Sequence, residues 1–163
     1  MLFRSIAFKD SLGSQQQVFE FVQAQLQQNL GISIGLKNMP INAFDKLVGD
    51  AKTRPLIYGY TFGFDYPDAQ EADEYLRVTG APYNYENYSN KRYDTLVEKA
   101  NASSNQAERV KLYQQAENVL MNDLGVLPLY YPNTNWLAKP YVRNFALTAL
   151  YMRKWQTISV GSH

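Results

Sequence analysis

The densest cluster of groups able to do chemistry is acidic: Asp65, Asp68, Glu71, Asp73 and Glu74 follow one another within a short stretch. A calcium loop needs alternating oxygen ligands and a glycine at its tight turn, and this run has neither. A glycosidase acid/base pair needs two carboxylates held across a cleft, and nothing in the sequence sets two of these apart in that way. A simpler reading competes with both. Asp65-Tyr66-Pro67-Asp68 is good turn chemistry, with Asp65 as a cap, and acids around Gln70 suit the positive first turn of a helix. Cysteine is absent, so thiol nucleophiles, zinc–thiolate clusters and disulfides are excluded. The single histidine, His163, is the last residue, a poor place for a general base or a metal ligand. Tyr83, Tyr85 and Tyr88 read either as a stacking platform for sugars or bases or as a loop packing its rings on the domain. Lys91-Arg92 reads as a solvated helix start.

With 163 residues the chain is long enough for one domain with a real core. Hydrophobic residues make up 45% and charged residues 19%, the balance of a folding chain. The net charge of +1 gives no electrostatic reason to expect nucleic acid or an anionic membrane as partner. No stretch approaches the roughly 20 apolar residues that span a bilayer. Residues Met1 to Ile6 have no apolar h-region and no cleavage site, so any export signal is expected outside this sequence.

The elements that must position the acids follow from periodicity. Gln15 to Leu30 is an amphipathic helix with Val18, Phe19, Val22 and Leu26 on one face, Ser14 as N-cap and Gly31 just past its end. Ile32, Ile34 and Leu36 alternate as a short strand, and Pro40 and Asn42 open a second helix with Phe44, Leu47 and Val48 inward. The run Leu56 to Phe62 reads as a buried central strand. Gln70 to Val78 is a short helix, and Gly80 to Asn87 is a loop. Two clear helices follow. One carries Tyr93, Leu96, Val97 and Ala100, capped by Ser89 or Asn90; the other carries Val110, Tyr113, Ala116, Val119 and Leu120, with Asn105 and Glu108 as a capping box. Val126 to Tyr131 is expected as a strand, and Asn133 to His163 as strand-like. The alternation of helices and strands predicts an α/β fold with a mixed, mainly crossover-connected sheet flanked by helices.

A series of phrases then points to a family. They are Phe64-Asp65-Tyr66-Pro67-Asp68, Tyr88-Ser89-Asn90-Lys91-Arg92-Tyr93-Asp94, Ala107-Glu108-Arg109 with Leu112-Tyr113-Gln114-Gln115-Ala116-Glu117, and Val126-Leu127-Pro128-Leu129-Tyr130-Tyr131 with Lys139-Pro140-Tyr141-Val142. Each alone is weak; in this order and spacing, from about Ala7 onward, the chain resembles the carboxy-terminal lobe of the oligopeptide- and dipeptide-binding proteins of ABC importers. The resemblance implies one lobe of a type II periplasmic-binding fold, lacking the first lobe. Residues 1–6 are then a truncation scar, 7–133 the ligand-binding lobe, and 134–163 a segment returning to the other lobe.

The resemblance also implies a function. Such a protein captures a peptide, or a small solute such as a nickel complex or sugar, outside the cytoplasm and passes it to a membrane ABC permease. It needs no cofactor or metal and is not an enzyme. Asp65 matches the carboxylate that holds the ligand's α-ammonium group. Thr61 and Gly63 then pair with the ligand backbone, and Phe62 and Phe64 border side-chain space. Two departures stand out. Thr61-Phe62 replaces the usual Gly-Trp, and Gly59 occupies a place where oligopeptide binders carry an arginine, leaving Lys52 and Arg54 as the nearby cations. Trp136, Leu137, Tyr141 and Phe145 are expected to be unusually exposed without the first lobe. A stand-alone interaction or sensor domain reusing the same lobe, and a metal-dependent hydrolase, are the competing readings.

Overall fold

The computed structural model of the chain describes residues 5–9, 13, 15–132, 136–145 and 155–162. The proposed cap Ser14, residues Met1 to Arg4 and His163 fall outside them. The chain forms two compact units, Met1–Phe62 and Gly63–His163.

The first unit runs β1 (Ser5–Phe8), α1 (Gln15–Leu30), β2 (Gly35–Asn38), α2 (Ile41–Gly49) and β3 (Ile57–Tyr58). The strands form a parallel sheet in the order β2-β1-β3, each joined to the next in sequence through a helix, as parallel pairing requires. Register explains which helix covers which face. Ile6 pairs with Leu36 and Ile57, so these side chains share one face; with Phe8, Phe19, Ile34, Val22 and Leu26 they form an apolar core. The ring of Phe8 stacks on Phe19 of α1 with centroids 4.6 Å apart. Ala7 and its partner Tyr58 point the other way, where Phe44 of α2 meets Tyr58 edge-on at 6.3 Å. Burying a side chain such as Phe8, Phe44 or Val48 stabilises the fold by about 1.5–3 kcal/mol each. Beyond α1, Gly31 takes φ 67°, and the amides of Gly31 and Ile32 return to the carbonyls of Gln27 and Leu26.

One expectation is corrected here. The stretch Leu56 to Phe62 is not a buried central strand. Only Ile57 and Tyr58 pair, at the edge of the described sheet, and Leu56 is exposed. The central place belongs to β1. A strand of four residues gains its place from partners on both sides, which its own composition does not reveal.

The second unit holds α3 (Gln70–Arg77), α4 (Lys91–Ala102), α5 (Gln106–Asn122), and an antiparallel pair, β4 (Val142–Arg143) and β5 (Ser159–Val160). Helices α4 and α5 bury Tyr93, Val97 and Ala100 against Tyr113, Ala116, Val119 and Leu120. Asn90 caps α4 by accepting from the amides of Arg92 and Tyr93, and Asn105 caps α5 by accepting from Glu108. The Glu108 carboxylate does not close the expected capping box with the N-cap amide; it accepts from the Ser103 hydroxyl at 2.6 Å. Among the described residues Val126 to Tyr131 forms no strand, and Leu127, Leu129 and Tyr131 stand exposed. Trp136 and Leu137 are exposed too, while Tyr141 and Phe145 are half-buried. No described helix is long and apolar enough to cross a membrane.

Helix α5 ends in a turn where the Leu124 amide returns to Met121 and that of Gly125 to Leu120. Leu124 adopts φ 55° there with its side chain in solvent. A leucine in the left-handed region is strained by about 1–2 kcal/mol, and no buried contact offsets it. Leu124→Gly is expected to stabilise the chain by about 0.5–1 kcal/mol in denaturant unfolding. A loss of stability would mean that the side chain holds the turn in some other way.

Candidate functional site

The stretch from Thr61 to Asp68 leaves the sheet and enters α3 without regular structure. Within the first unit, the last ladder-like bond runs from the Gly59 amide to the Ala7 carbonyl at 2.8 Å. Two residues on, the side chain of Gln15, buried at the start of α1, donates to the Thr61 hydroxyl. The backbone groups of Thr61 and Gly63 make no hydrogen bond to any described residue. The two nearby glycines differ sharply. A Cβ on Gly59 would stand 1.9 Å from the tip of the Phe19 ring, whereas one on Gly63 would meet nothing within 4 Å. Thus Phe19 fills the room any side chain at position 59 would need, and the space over Gly63 is open.

In the second unit the acids separate by role. Asp68 accepts from the Gln70 amide at 2.9 Å just before α3, and both its oxygens lie 2.9 Å from Nη2 of Arg109 on α5. The Gln70 amide bond first, and the Arg109 guanidinium second, hold the Asp68 carboxyl below the usual carboxylate range. Arg109 is itself tied to the Ala100 carbonyl at 2.9 Å. Glu71 is 5% exposed, and its carboxylate accepts from the backbone amides of Asp65, at 3.0 and 2.8 Å, and Tyr66, at 3.1 Å. Glu74 accepts from Gln70 at 2.6 Å and from Asn101 at 3.0 Å. Asp73 lies buried and accepts from the Tyr93 hydroxyl at 2.9 Å. The remaining member, Asp65, is exposed, and its carboxylate has no partner among the described residues.

The competing reading of Asp65 as the turn's cap therefore falls to Asp68. Among the described residues no three acidic or histidine side chains converge as they would around a metal ion. The three tyrosines also separate. Tyr88 packs edge-on against Tyr93 at 5.4 Å beside the helix core, while Tyr83 and Tyr85 meet at 6.2 Å. Asn84, buried between them, holds this loop by donating to the Val78 and Tyr88 carbonyls and accepting from the Tyr88 amide. Of the five expected site residues, Thr61 and Phe62 close the first unit and Gly63, Phe64 and Asp65 open the second. Sequence reasoning missed Glu71 and Arg109 as supports of this segment. The spacing Asp68-x-x-Glu71, a capping-box pattern, was a signal for the first; nothing local marked Arg109.

The parallel sheet with helices on both faces, followed by a helical unit, is the type II periplasmic-binding class of fold. A solved structure of OppA from Burkholderia pseudomallei is 26% identical and superposes with a TM-score of 0.85, over 99% of this chain and 31% of that one. The dipeptide-binding protein DppE of Bacillus subtilis is 28% identical over 130 residues, 78% of this chain and 23% of its own length. The probable deoxycholate-binding periplasmic protein YgiS of Escherichia coli is 36% identical over 64 residues, 39% of this chain and 12% of its own. No family model matches the chain. The chain is thus similar to part of the oligopeptide- and dipeptide-binding proteins, and it spans about a quarter of the length of the DppE relative.

Two measurements follow from this geometry. Gly59→Ala forces the Phe19 ring off its stack with Phe8 and should cost about 1–3 kcal/mol in unfolding free energy. Phe19→Leu in the same chain should recover part of that loss; no recovery would place the clash elsewhere. Asp73 gives a pH signature. Burial, the largest cause, pushes its carboxyl up to about 7, with Glu117 adding and Tyr93 and Arg77 opposing. Folding then favours the protonated acid, so its contribution is complete below the unfolded pKa of 3.8 and is lost as pH rises through about 7. Thermal unfolding of Asp73→Asn, compared with the parent between pH 4 and pH 8, should lack this decline, worth about 1–4 kcal/mol. Parallel pH profiles for the two proteins would mean that Asp73 is ionised throughout.

Proposed function

We propose that this chain supplies a ligand-binding lobe of an extracytoplasmic solute receptor, which captures peptides and hands them to the membrane permease of an ABC importer. Asp65 anchors the α-ammonium group of the ligand. The observation that carries this reading is the contrast among the acids: Asp68, Glu71, Asp73 and Glu74 each have donors, and Asp65 alone among them presents its carboxylate without one among the described residues. A carboxylate open to solvent and free of donors among the described residues is suited to a charge-assisted bond with an ammonium group.

The ligand backbone pairs with Thr61 and Gly63, whose own amides and carbonyls are unused within the described chain. The open space over Gly63 allows a close main-chain approach. Phe62 and Phe64 border the ligand's side chains. Main-chain pairing gives affinity for many sequences, and the amine contact fixes register. The mechanism is closure of two lobes around the ligand with no covalent step, so the protein acts as a binder and not as an enzyme. The partner lobe lies in the length by which the relatives exceed this chain. The exposed Leu127, Tyr131 and Leu137, together with residues 134–163, contribute to the surface that meets it.

Likeness to the probable deoxycholate-binding protein supports a second reading, a non-peptide solute. An anionic amphiphile would be repelled by Asp65, which makes the two separable. Calorimetric titration of trialanine and its amino-acetylated form into this chain, joined to the first lobe of a relative, decides between them. The peptide reading expects the free amine to bind about tenfold or more tightly than the acetylated form, with Asp65→Asn removing the difference. Equal binding of the two forms, or binding of deoxycholate alone, removes Asp65 from the anchoring role.

A further inference from the structure

We infer that Glu71 is the positioning residue for the Asp65 anchor, an inference that rests on the amine-anchoring reading of Asp65. Glu71 itself is too deeply covered to meet a ligand, with 5% of its surface exposed. Its carboxylate is spent on the chain's own backbone, where it accepts from the amides of Asp65 and Tyr66 at distances of 2.8 to 3.1 Å. Glu71 lies in the first turn of α3, so the helix sets where this carboxylate stands. Within the exposed stretch Gly63 to Pro67 a further bond runs from the Asp68 amide to the Tyr66 carbonyl at 3.0 Å.

The consequence is geometric. With its amide fixed by Glu71, Asp65 retains only its side-chain torsions, and its carboxylate projects from a set backbone. On the far side, Asp68 is clamped by Arg109 and the Gln70 amide. The anchor thus sits between two fixed points of the helical unit. Fixing a binding group before the ligand arrives improves affinity by lowering the ordering cost. Removing Glu71 frees the backbone at 65 and 66 and leaves the carboxylate at 65 chemically unchanged.

The test uses the full 163-residue chain and amide NMR, which reads weak binding of trialanine and of acetylated trialanine. In the parent, the Asp65 and Tyr66 amides should exchange slowly and the free peptide should bind about tenfold or more tightly than the acetylated one. Glu71→Ala should bring the two peptides to within about twofold while α4 and α5 keep their parent chemical shifts. Glu71→Asp, which keeps the charge but withdraws it from the amides, should do the same and decides the matter if the alanine variant fails to fold. Glu71→Gln, which keeps one acceptor oxygen, should recover most of the preference. An undiminished preference in Glu71→Ala or Glu71→Asp overturns the positioning role and leaves Asp65 as the anchor. No preference in the parent overturns the amine-anchoring reading, and this inference with it.

Discussion

The candidate site is organised around one interaction, the Glu71 carboxylate accepting from the amides of a loop that has left the sheet and not yet entered a helix. Unpaired backbone groups are costly wherever water is excluded. The chain answers with carboxylates from the first turns of α3. Glu71 takes two amides of the preceding loop, and Asp68 takes the amide of Gln70 while holding Arg109. What looks in the sequence like a cluster of negative charge is, in space, a set of acceptors distributed over separate donors. Mutual repulsion is thereby limited, and each acid except Asp65 has a task inside the fold.

The first unit obeys a different rule. A parallel strand can be paired on both sides only if helices carry the chain back over the sheet. Strand β1 meets this by burying Ile6 and Phe8 against α1 and turning Ala7 toward the side of Tyr58 and Phe44. At Gly59 a Cβ would stand 1.9 Å from the Phe19 ring, so the glycine there is a packing fact about this unit.

Much of the fold was legible because its signals are local. Asn90 and Asn105 cap the helices they were expected to cap, and the 3.6-residue spacing of Tyr93, Val97 and Ala100 predicted the face that is buried. What was not legible depends on partners distant in sequence. Strand β1 was invisible because four residues carry no periodicity worth reading, and its importance comes from neighbours around residues 35 and 57. The run Val126 to Tyr131 misled for the converse reason. Its continuous apolar run bounded by Gly125 and Pro132 suits a strand, yet pairing needs an adjacent edge, and the described residues form no strand there. At the site, the phrase around Asp65 was readable, but the division of labour between Asp65 and Asp68 depends on Arg109, which is 41 positions from Asp68 in the chain.

Under the proposed amine-anchoring reading, one carboxylate of the five is given over to a ligand, and the division among the other four is compatible with that. An acid that caps a helix or holds a guanidinium cannot also serve an incoming ammonium without weakening the fold, since the two uses compete for the same lone pairs. Separating them lets stability and binding be set by different residues. Asp68 and Glu71 fix where the loop runs, and Asp65 faces solvent with its hydrogen-bonding capacity intact. The covered acids hold the loop while the exposed one has no partner among the described residues, because a carboxylate can be left unpaired at low cost only where water still reaches it.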